Sequence, residues 1–384
     1  MRILHLMLSN FYIDNANYQE NEIPRQNKAD GHEIKIIAST EVYIKNITIG
    51  YTNPGEYINE DGIPVTRLPY RKILNFNISK RVRAYPGLYG HIENFSPDLI
   101  LFHGAAAYAL ITAAKYVKNH RGVRLLVDSH EDLLNSATNF LSKHVLHRLF
   151  YKGVVQFSLA HIEKILYITY ETKIFLENVY NIPPDKLSFF PLGGRILTED
   201  ERNTVRSYIR RDLGIKDHQI LIIHSGKLDS KKRTREIVEA FCKVRHDDLR
   251  MIIIGSLDNE VSKEIDPFIS SDPRIRYLGW MKPDSLRKYL MAGDLYVQLG
   301  GQSVTMQNAL CCGCAAALFP FESHKFLLDD SVFYISNKDD LTCVLDTISQ
   351  NRSLLEDKRK RSFNIARNLL DYKKIASILY HPAT

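Results

Sequence analysis

Two stretches in the second half of the chain carry residue types suited to holding a phosphate. The first runs from Asp294 to Phe319: DLYVQLGG, then QSVTMQNALCCG, then CAAALF. It reads as a strand, a two-glycine turn, a short helix and a second strand. Gly300 and Gly301 let a ligand approach the backbone closely. Ser303 stands at the N-cap and Gly313 at the left-handed C-terminal position. The first N–H groups of such a helix have no partner within it and form a ready anion site. The second stretch is ILIIHSGKLDSKKRTREIVEAFCKV, a buried-type strand from Ile220 to His224, then Gly226, a basic loop and a helix. Lys227 lies just past the strand, and Lys231, Lys232 and Arg233 crowd the next turn. Ligands of open α/β sheets bind beyond the carboxyl ends of the strands, where ammonium groups meet phosphates as charge-assisted donors.

The elements that must position these residues follow a βαβ rhythm throughout. Strands are expected at 2–8, 33–38, 98–103, 123–128 and 165–169, with helices near 17–30, 104–119 and 139–160. Residues 40–70, rich in Asn, Gly, Pro and Tyr, are expected to form loops or an edge ribbon. The polar stretch 193–216 is expected to contain the domain linker. The rhythm resumes with strands near 220–224, 251–254, 275–278, 295–298 and 315–318, and a helix near 339–350.

Composition bounds the reading. The chain has 384 residues, 45% apolar and 25% charged, with a net charge of +7. That length suffices for two separate cores. No apolar run approaches the ~18 residues of a membrane span, and RILHLML at the start reads as a strand, not a leader. The protein is therefore expected in the cytoplasm. The five cysteines form no disulfide framework, and Cys311, Cys312 and Cys314 lack metal-ligand spacing, which leaves them as packing residues. The positive charge suits a phosphorylated substrate or an anionic membrane face. No nucleic-acid module is visible. Arg71-Lys72 and Lys80-Arg81-Val82-Arg83 bracket apolar Ile73, Leu74, Phe76 and Ile78. In FLSKHVLHRLFYK, from Phe140 to Lys152, an α-helix puts Leu141, Val145 and Leu149 on one stripe, with Lys143, His144, His147 and Arg148 on the remainder. Peripheral contact with the inner face of a membrane is one expectation for these stretches.

Gly226-Lys227-Leu228, Lys232 and Glu239-Ala240 resemble the Gly-Arg-Leu…Lys…Ala block of retaining glycosyltransferases of family 4. MIIIGS (251–256), IRYLGW (275–280) and LRKYLMAGDLYV (286–297) follow in the family's order. Asn308-Ala309-Leu310-Cys311-Cys312-Gly313 stands where the family usually reads Glu-Ala-Met-Ala-Cys-Gly. Asp185-Lys186-Leu187…Pro191-Leu192-Gly193-Gly194 resembles the entry to the interdomain linker, and DGHEIKIIAS (30–39) the second strand.

The resemblance implies an α/β GT-B fold: two Rossmann-like parallel-sheet domains facing a central cleft. Residues 1–195 would be the acceptor domain and 196–360 the nucleotide-sugar domain. Residues 361–384 would end in a helix crossing back to the first domain. The implied activity is transfer of a sugar, with retention, from a nucleotide sugar to a glycan or polyprenyl-linked acceptor in surface polysaccharide or glycoconjugate synthesis. The donor is a substrate, and neither cofactor nor metal is implied; no Asp-x-Asp motif occurs. Lys227 and Lys232 would stabilise the leaving diphosphate. Gly226, Gly301, Ser303, Val304, Gln307, Asn308 and Trp280 would bind the donor. In the N-terminal half, LLVDSHED places His130 after a strand, where the family has a histidine near the transferred sugar. Glu131, Asp132 and His103 are candidates for the acceptor.

Three departures stand out. The family's paired glutamates, eight positions apart, would fall at Gly300 and Asn308, and the second typically holds the ribose. Asn308 or Gln307 can still hydrogen-bond a hydroxyl, without charge. Lys227 replaces an arginine and loses its bidentate fork. Ser9-Asn10-Phe11-Tyr12 replaces the glycine-rich loop often found after the first strand. Two rivals share the fold: a nucleotide-sugar 2-epimerase, which needs no acceptor, and a non-catalytic binding subunit.

Overall fold

Runs such as Ile3–Met7, Leu99–Phe102 and Ile220–Ile223 are apolar without alternation, His5 excepted, and their residues are sealed from solvent. That is the pattern of parallel strands covered on both faces. In the computed structural model, which describes residues 1–44, 48–131 and 141–381, they build two parallel sheets. The chain divides into two compact units. One comprises Met1–Pro191 with the segment from Ile375 onward, the other Leu192–Lys374.

The strands of the first unit are β1 (Arg2–Met7), β2 (Glu33–Ser39), β3 (Glu41–Ile44), β4 (Thr48–Tyr51), β5 (Gly55–Ile58), β6 (Pro64–Leu68), β7 (Leu99–His103), β8 (Arg124–Ser129), β9 (Lys164–Tyr167) and β10 (Leu187–Phe189). Its main sheet has the order β10-β9-β8-β7-β1-β2-β6-β5, parallel except for β5. The second unit contains β11 (Ile220–Leu228), β12 (Leu249–Leu257), β13 (Ile275–Tyr277), β14 (Leu295–Gln298), β15 (Ala315–Leu318) and β16 (Phe333–Tyr334). They run parallel in the order β13-β12-β11-β14-β15-β16. The winding reverses between β1 and β7 in the first sheet and between β11 and β14 in the second. Open α/β sheets form their ligand crevice at such switch points, outside the carboxyl ends of the strands. The strand ends that matter are therefore those of β1, β7 and β8, and those of β11 and β14.

Several local expectations are refined. The stretch 193–216 is mostly helix, Glu199–Asp212, opened by a capping box between Thr198 and Glu201. Arg206 and Arg210 anchor it to the Asp294 carboxylate at 2.5 and 3.0 Å, so its polarity marks an ion-paired helix. The helix expected from 104 begins at Ala109. Carboxylates capture the N–H groups before it: Gly104 N donates to Asp128 Oδ1 (2.8 Å) and Ala106 N to Glu131 Oε1 (3.2 Å). Residues 40–70 do form ribbons: β5 pairs antiparallel with β6 at the edge of the main sheet and β3 with β4 in a separate two-stranded sheet, while β6 also pairs in parallel with β2.

The last concerns 139–160. Leu141–Tyr151 winds as a π-helix before Lys152–Ser158 continues as α. The wider turn breaks the 3.6-residue stripe. Leu149 is 69% exposed, whereas His147 is buried and bonds the Tyr180 hydroxyl at 2.8 Å. His147 therefore belongs to the core, not to a basic face. Phe140 and the side chains of Leu141, Lys143, His144 and Val145 lie outside the described residues. No described helix is long and apolar enough to cross a membrane.

Candidate active site

In the second unit the two phosphate-type stretches meet. The β11 strand carries Gly226 and exposed Lys227 at its end, followed by a single 3-10 turn, Ser230–Lys232. Asp229 caps that turn by accepting from Lys231 N. This folds Lys232 back across the neighbouring strand end. Its Nζ donates to Gly301 O at 2.6 Å and to Gln302 O at 3.3 Å. Lys232 is buried, and burial pulls its ammonium below the ordinary lysine range, with Asp229 opposing. A buried ammonium balanced chiefly by carbonyl dipoles attracts an anion. Arg233 turns away instead: it grips Glu236 through two bonds of 2.6 Å and donates to Ser336 O at 3.0 Å.

The loop that Lys232 holds leads into the helix Val304–Cys311. Ser303 has extended N-cap backbone, but its hydroxyl donates to Gln298 Oε1 (3.1 Å) and makes no capping bond. The expected serine cap is absent because Gln298 competes for it. The Gln298 amide donates in turn to Gly301 O at 2.9 Å. One side chain thus ties both ends of the turn, with Tyr296 OH 3.2 Å from the same Oε1. The first N–H groups of the helix keep no side-chain cap, beside the Lys232 ammonium.

Gly300 answers the question of the missing glutamate. A Cβ there would lie 2.0 Å from the Lys231 carbonyl oxygen, so no side chain fits without moving the backbone. Gly255 is equally constrained: its φ is +147°, and a Cβ would meet Gly226 O at 1.8 Å across the β11–β12 ladder. Asn308 donates to Val304 O, four residues back, at 3.1 Å, and its Oδ1 faces Gly194. Gln307 Oε1 is sealed from solvent without a hydrogen-bond partner. Val304 is half-buried and Trp280, past β13, is 55% exposed. Cys311, Cys312 and Cys314 are buried, and burial drives their thiols far above the usual range.

In the first unit the ends of β1, β7 and β8 gather histidines and carboxylates. Asp128 is fully buried, with Oδ2 2.6 Å from His103 Nδ1 and Oδ1 3.6 Å from His130 Nε2. Burial alone would raise the Asp128 carboxyl, but His103, His130 and the Gly104 N–H hold it below its usual value. His130 keeps about a fifth of its side chain in solvent and also faces Glu20 at 3.9 Å. Burial opposes its protonation; the carboxylates of Asp128, Glu20 and Glu131 outweigh this and raise its pKa. His103 has no surface, and its other nitrogen meets His5 at 3.0 Å. With the ring enclosed, the acceptor contact expected of it gives way to a supporting place. Glu131 is buried and accepts from Ser129 Oγ, His130 N and Ala106 N. Asp132 lies outside the described residues.

Several residues escaped the sequence reading. Gln298, Glu20 and His5 sit in an apolar strand, an ordinary amphipathic helix and a first strand. A lone polar residue within the apolar run LYVQ was the one available signal for Gln298. Among the described residues no trio of His, Cys, Asp or Glu is placed to hold a metal ion.

Comparison with known proteins bears on the two halves of the chain. Residues 22–193 match a glycosyl transferase 4-like domain, and residues 205–364 match the glycosyl transferases group 1 domain. The chain belongs to the group 1 glycosyltransferases. Solved structures similar to this glycosyltransferase across nearly its whole length include Alr3699/HepE from Anabaena in complex with UDP (14% identity, TM-score 0.69, 99% of this chain and 98% of that one). Sucrose-phosphate synthase from Thermosynechococcus elongatus aligns at 12% identity with a TM-score of 0.68, covering 99% and 97%. WaaG, a glycosyltransferase involved in lipopolysaccharide biosynthesis, aligns at 13% with 0.63, covering 99% of each chain. Identities this low establish the GT-B fold alone. A search of curated proteins returns no match. As a member of its group the glycosyltransferase takes a nucleotide sugar as donor substrate.

Proposed function

We propose that the second unit holds the diphosphate of the nucleotide sugar over the start of helix Val304–Cys311, and that the sugar passes with retention to a glycan or lipid-linked glycan bound by the first unit. The observation that carries this reading is the buried Lys232 ammonium, held at the switch point against Gly301 O beside uncapped helix N–H groups. In the transfer, negative charge builds on the leaving phosphate as the glycosidic bond breaks, and preorganised donors in a dry site stabilise that charge most effectively. Lys232 and Lys227 supply cations, and the helix supplies N–H dipoles. Gln307 and Asn308 are the candidates for the ribose hydroxyls, and Gln307 Oε1 awaits a donor. His130, with its raised pKa, faces the sugar in this reading.

An acceptor at an anionic, cytoplasmic membrane face fits one surface feature of the first unit. Leu74 is 94% exposed and Phe76 54%, between exposed Arg71, Lys72 and Arg81.

A thermal-shift screen with UDP, GDP, ADP and their sugars, followed by turnover assays with and without acceptor, tests the reading. One nucleotide should stabilise the protein by mass action. Donor consumption should require acceptor and yield a retained linkage. Consumption without acceptor, with an epimerised nucleotide sugar as product, would replace transfer by epimerisation. Gln307→Ala and Asn308→Ala should weaken binding of the nucleotide itself.

A further inference from the structure

The buried histidines of the first unit belong to a chain of polar contacts, one close ion pair followed by four hydrogen bonds, longer than its active-site end requires. Asp128 Oδ2 meets His103 Nδ1 at 2.6 Å, and His103 Nε2 meets His5 Nδ1 at 3.0 Å. His5 Nε2 meets Asn27 Oδ1 at 3.0 Å, Asn27 Nδ2 donates to Tyr380 OH at 2.8 Å, and Tyr380 OH donates to Asp30 Oδ2 at 2.5 Å. The chain thus joins the end of β8 to Tyr380 in the C-terminal segment. His5, Asn27, His103 and Asp128 are all fully buried.

The direction of each bond can be deduced. The Tyr380 hydroxyl has one proton and gives it to Asp30. It must then accept from Asn27, which fixes the amide with its NH₂ toward Tyr380 and its oxygen toward His5. The Asn27 oxygen needs a donor, so His5 carries its proton on Nε2. A neutral His5 then presents a lone pair at Nδ1, and His103 Nε2 must be protonated to meet it. The other His103 nitrogen stands 2.6 Å from an Asp128 oxygen, a close ion-pair contact outside hydrogen-bond geometry; a bare lone pair so near a carboxylate is repelled, so the contact calls for a second proton on the ring. The two ends of the chain are both carboxylates. Four neutral groups between them supply one proton to each of the four hydrogen bonds and none to the close His103–Asp128 contact. Burial and the nearby His103 charge depress His5 well below the ordinary histidine range, which keeps it neutral. Burial and Asp30 keep the Tyr380 hydroxyl protonated.

We propose that His103 is an imidazolium buried against Asp128, that Tyr380 enforces this state from the C-terminal segment, and that the pair is the positioning unit beneath His130. Glu20, Glu131 and Asp128 are the carboxylates facing this end, with the Gly104 N–H on the second Asp128 oxygen. At the far end His32 packs edge-on against Tyr380 at 4.4 Å, and its Nδ1 lies 3.3 Å from the N-terminal amine. While His103 is charged, it balances Asp128. Once it is neutral, Asp128 pulls on His130 unopposed.

The test is nitrogen-15 NMR of histidine rings in the full-length, ligand-free protein, with assignments from single His→Gln variants. At pH 7.5 both His103 nitrogens should be protonated, and His5 should carry its proton on Nε2. In Tyr380→Phe the amide of Asn27 is free to turn. His5 should then switch to the Nδ1–H form, and His103 should fall to one protonated nitrogen. The His130 titration midpoint should rise by about one unit, the effect of an opposite charge within reach. A single protonated nitrogen on wild-type His103 would place the proton on Asp128 and overturn the proposal. Unchanged His5 and His103 rings in folded Tyr380→Phe would remove Tyr380 from it. The inference deepens the reading of His130 given above. Because the rings are read without substrate, its failure and the failure of sugar transfer are separate outcomes.

Discussion

At the scale of single residues, Lys232 and Gly300 share one tightly packed turn. Lys232→Ala removes a cation that the fold buries and aims at the start of a helix. Turnover should fall ~10²-fold or more, with a smaller loss in nucleotide affinity, because the charge matters most as the phosphate departs. Near-normal kcat/KM would take Lys232 out of the mechanism. Gly300→Glu restores the carboxylate that the family resemblance would place here, yet it should not raise activity. The new Cβ would stand 2.0 Å from Lys231 O, and the strain should lower stability by ~1–3 kcal/mol, seen as a reduced Tm. That carbonyl lies in the turn that aims Lys232, so activity should fall with it. A more active Gly300→Glu would mean that the turn is softer than its packing indicates.

At the scale of elements, the end of β11 is held by His224. Its ring lies 2.9 Å from Val297 O through Nδ1 and 3.0 Å from Thr234 Oγ1 through Nε2. Burial, aided by the Lys232 charge and against the Val297 bond, pushes its pKa down to about 4. The folded protein therefore binds fewer protons here than the unfolded chain between about pH 6.5 and 4. Stability rises with pH in that window and is lost as pH falls through it, by about 3 kcal/mol for this group. Urea unfolding at pH 7, 6, 5 and 4 should show the loss, and His224→Gln should flatten it. An equal slope in the variant would assign acid lability to other groups, His5 first among them. The π-wound Leu141–Tyr151 makes a related point. Its turn width, not its sequence period, decides that His147 is core and Leu149 is surface.

At the scale of the molecule, the net charge of +7 is not spread evenly. Arg71, Lys72 and Arg81 are exposed around Leu74 and Phe76, while Lys80 is neutralised by Glu41 at 2.8 Å. Each free basic residue near an anionic surface contributes ~1 kcal/mol, and the two apolar side chains add burial. The protein should bind anionic vesicles reversibly, and more weakly as salt shortens the Debye length. Leu74→Ser with Phe76→Ser should weaken binding without altering donor affinity. Cosedimentation with vesicles of anionic and neutral lipid checks this. Absence of binding to both would point to a soluble acceptor.

The sequence by itself determined the local order of things. Apolar runs without alternation specified parallel strands, and the spacing of Gly226, Lys232 and the glycine turn marked two strand ends that the fold brings together. These are short-range properties, set by periodicity and turn stereochemistry within a few residues. Tertiary structure alone decided which polar side chains are spent on the protein itself. His103 looked available and is enclosed between Asp128 and His5. Ser303 looked like a cap and is claimed by Gln298. The polar stretch after 198 became a helix because Asp294, far along the chain, supplies the carboxylate for two arginines. A residue's partner in such cases comes from a neighbouring strand, and burial makes an unmatched donor or acceptor expensive. The pairing that satisfies every buried group is a property of the whole fold.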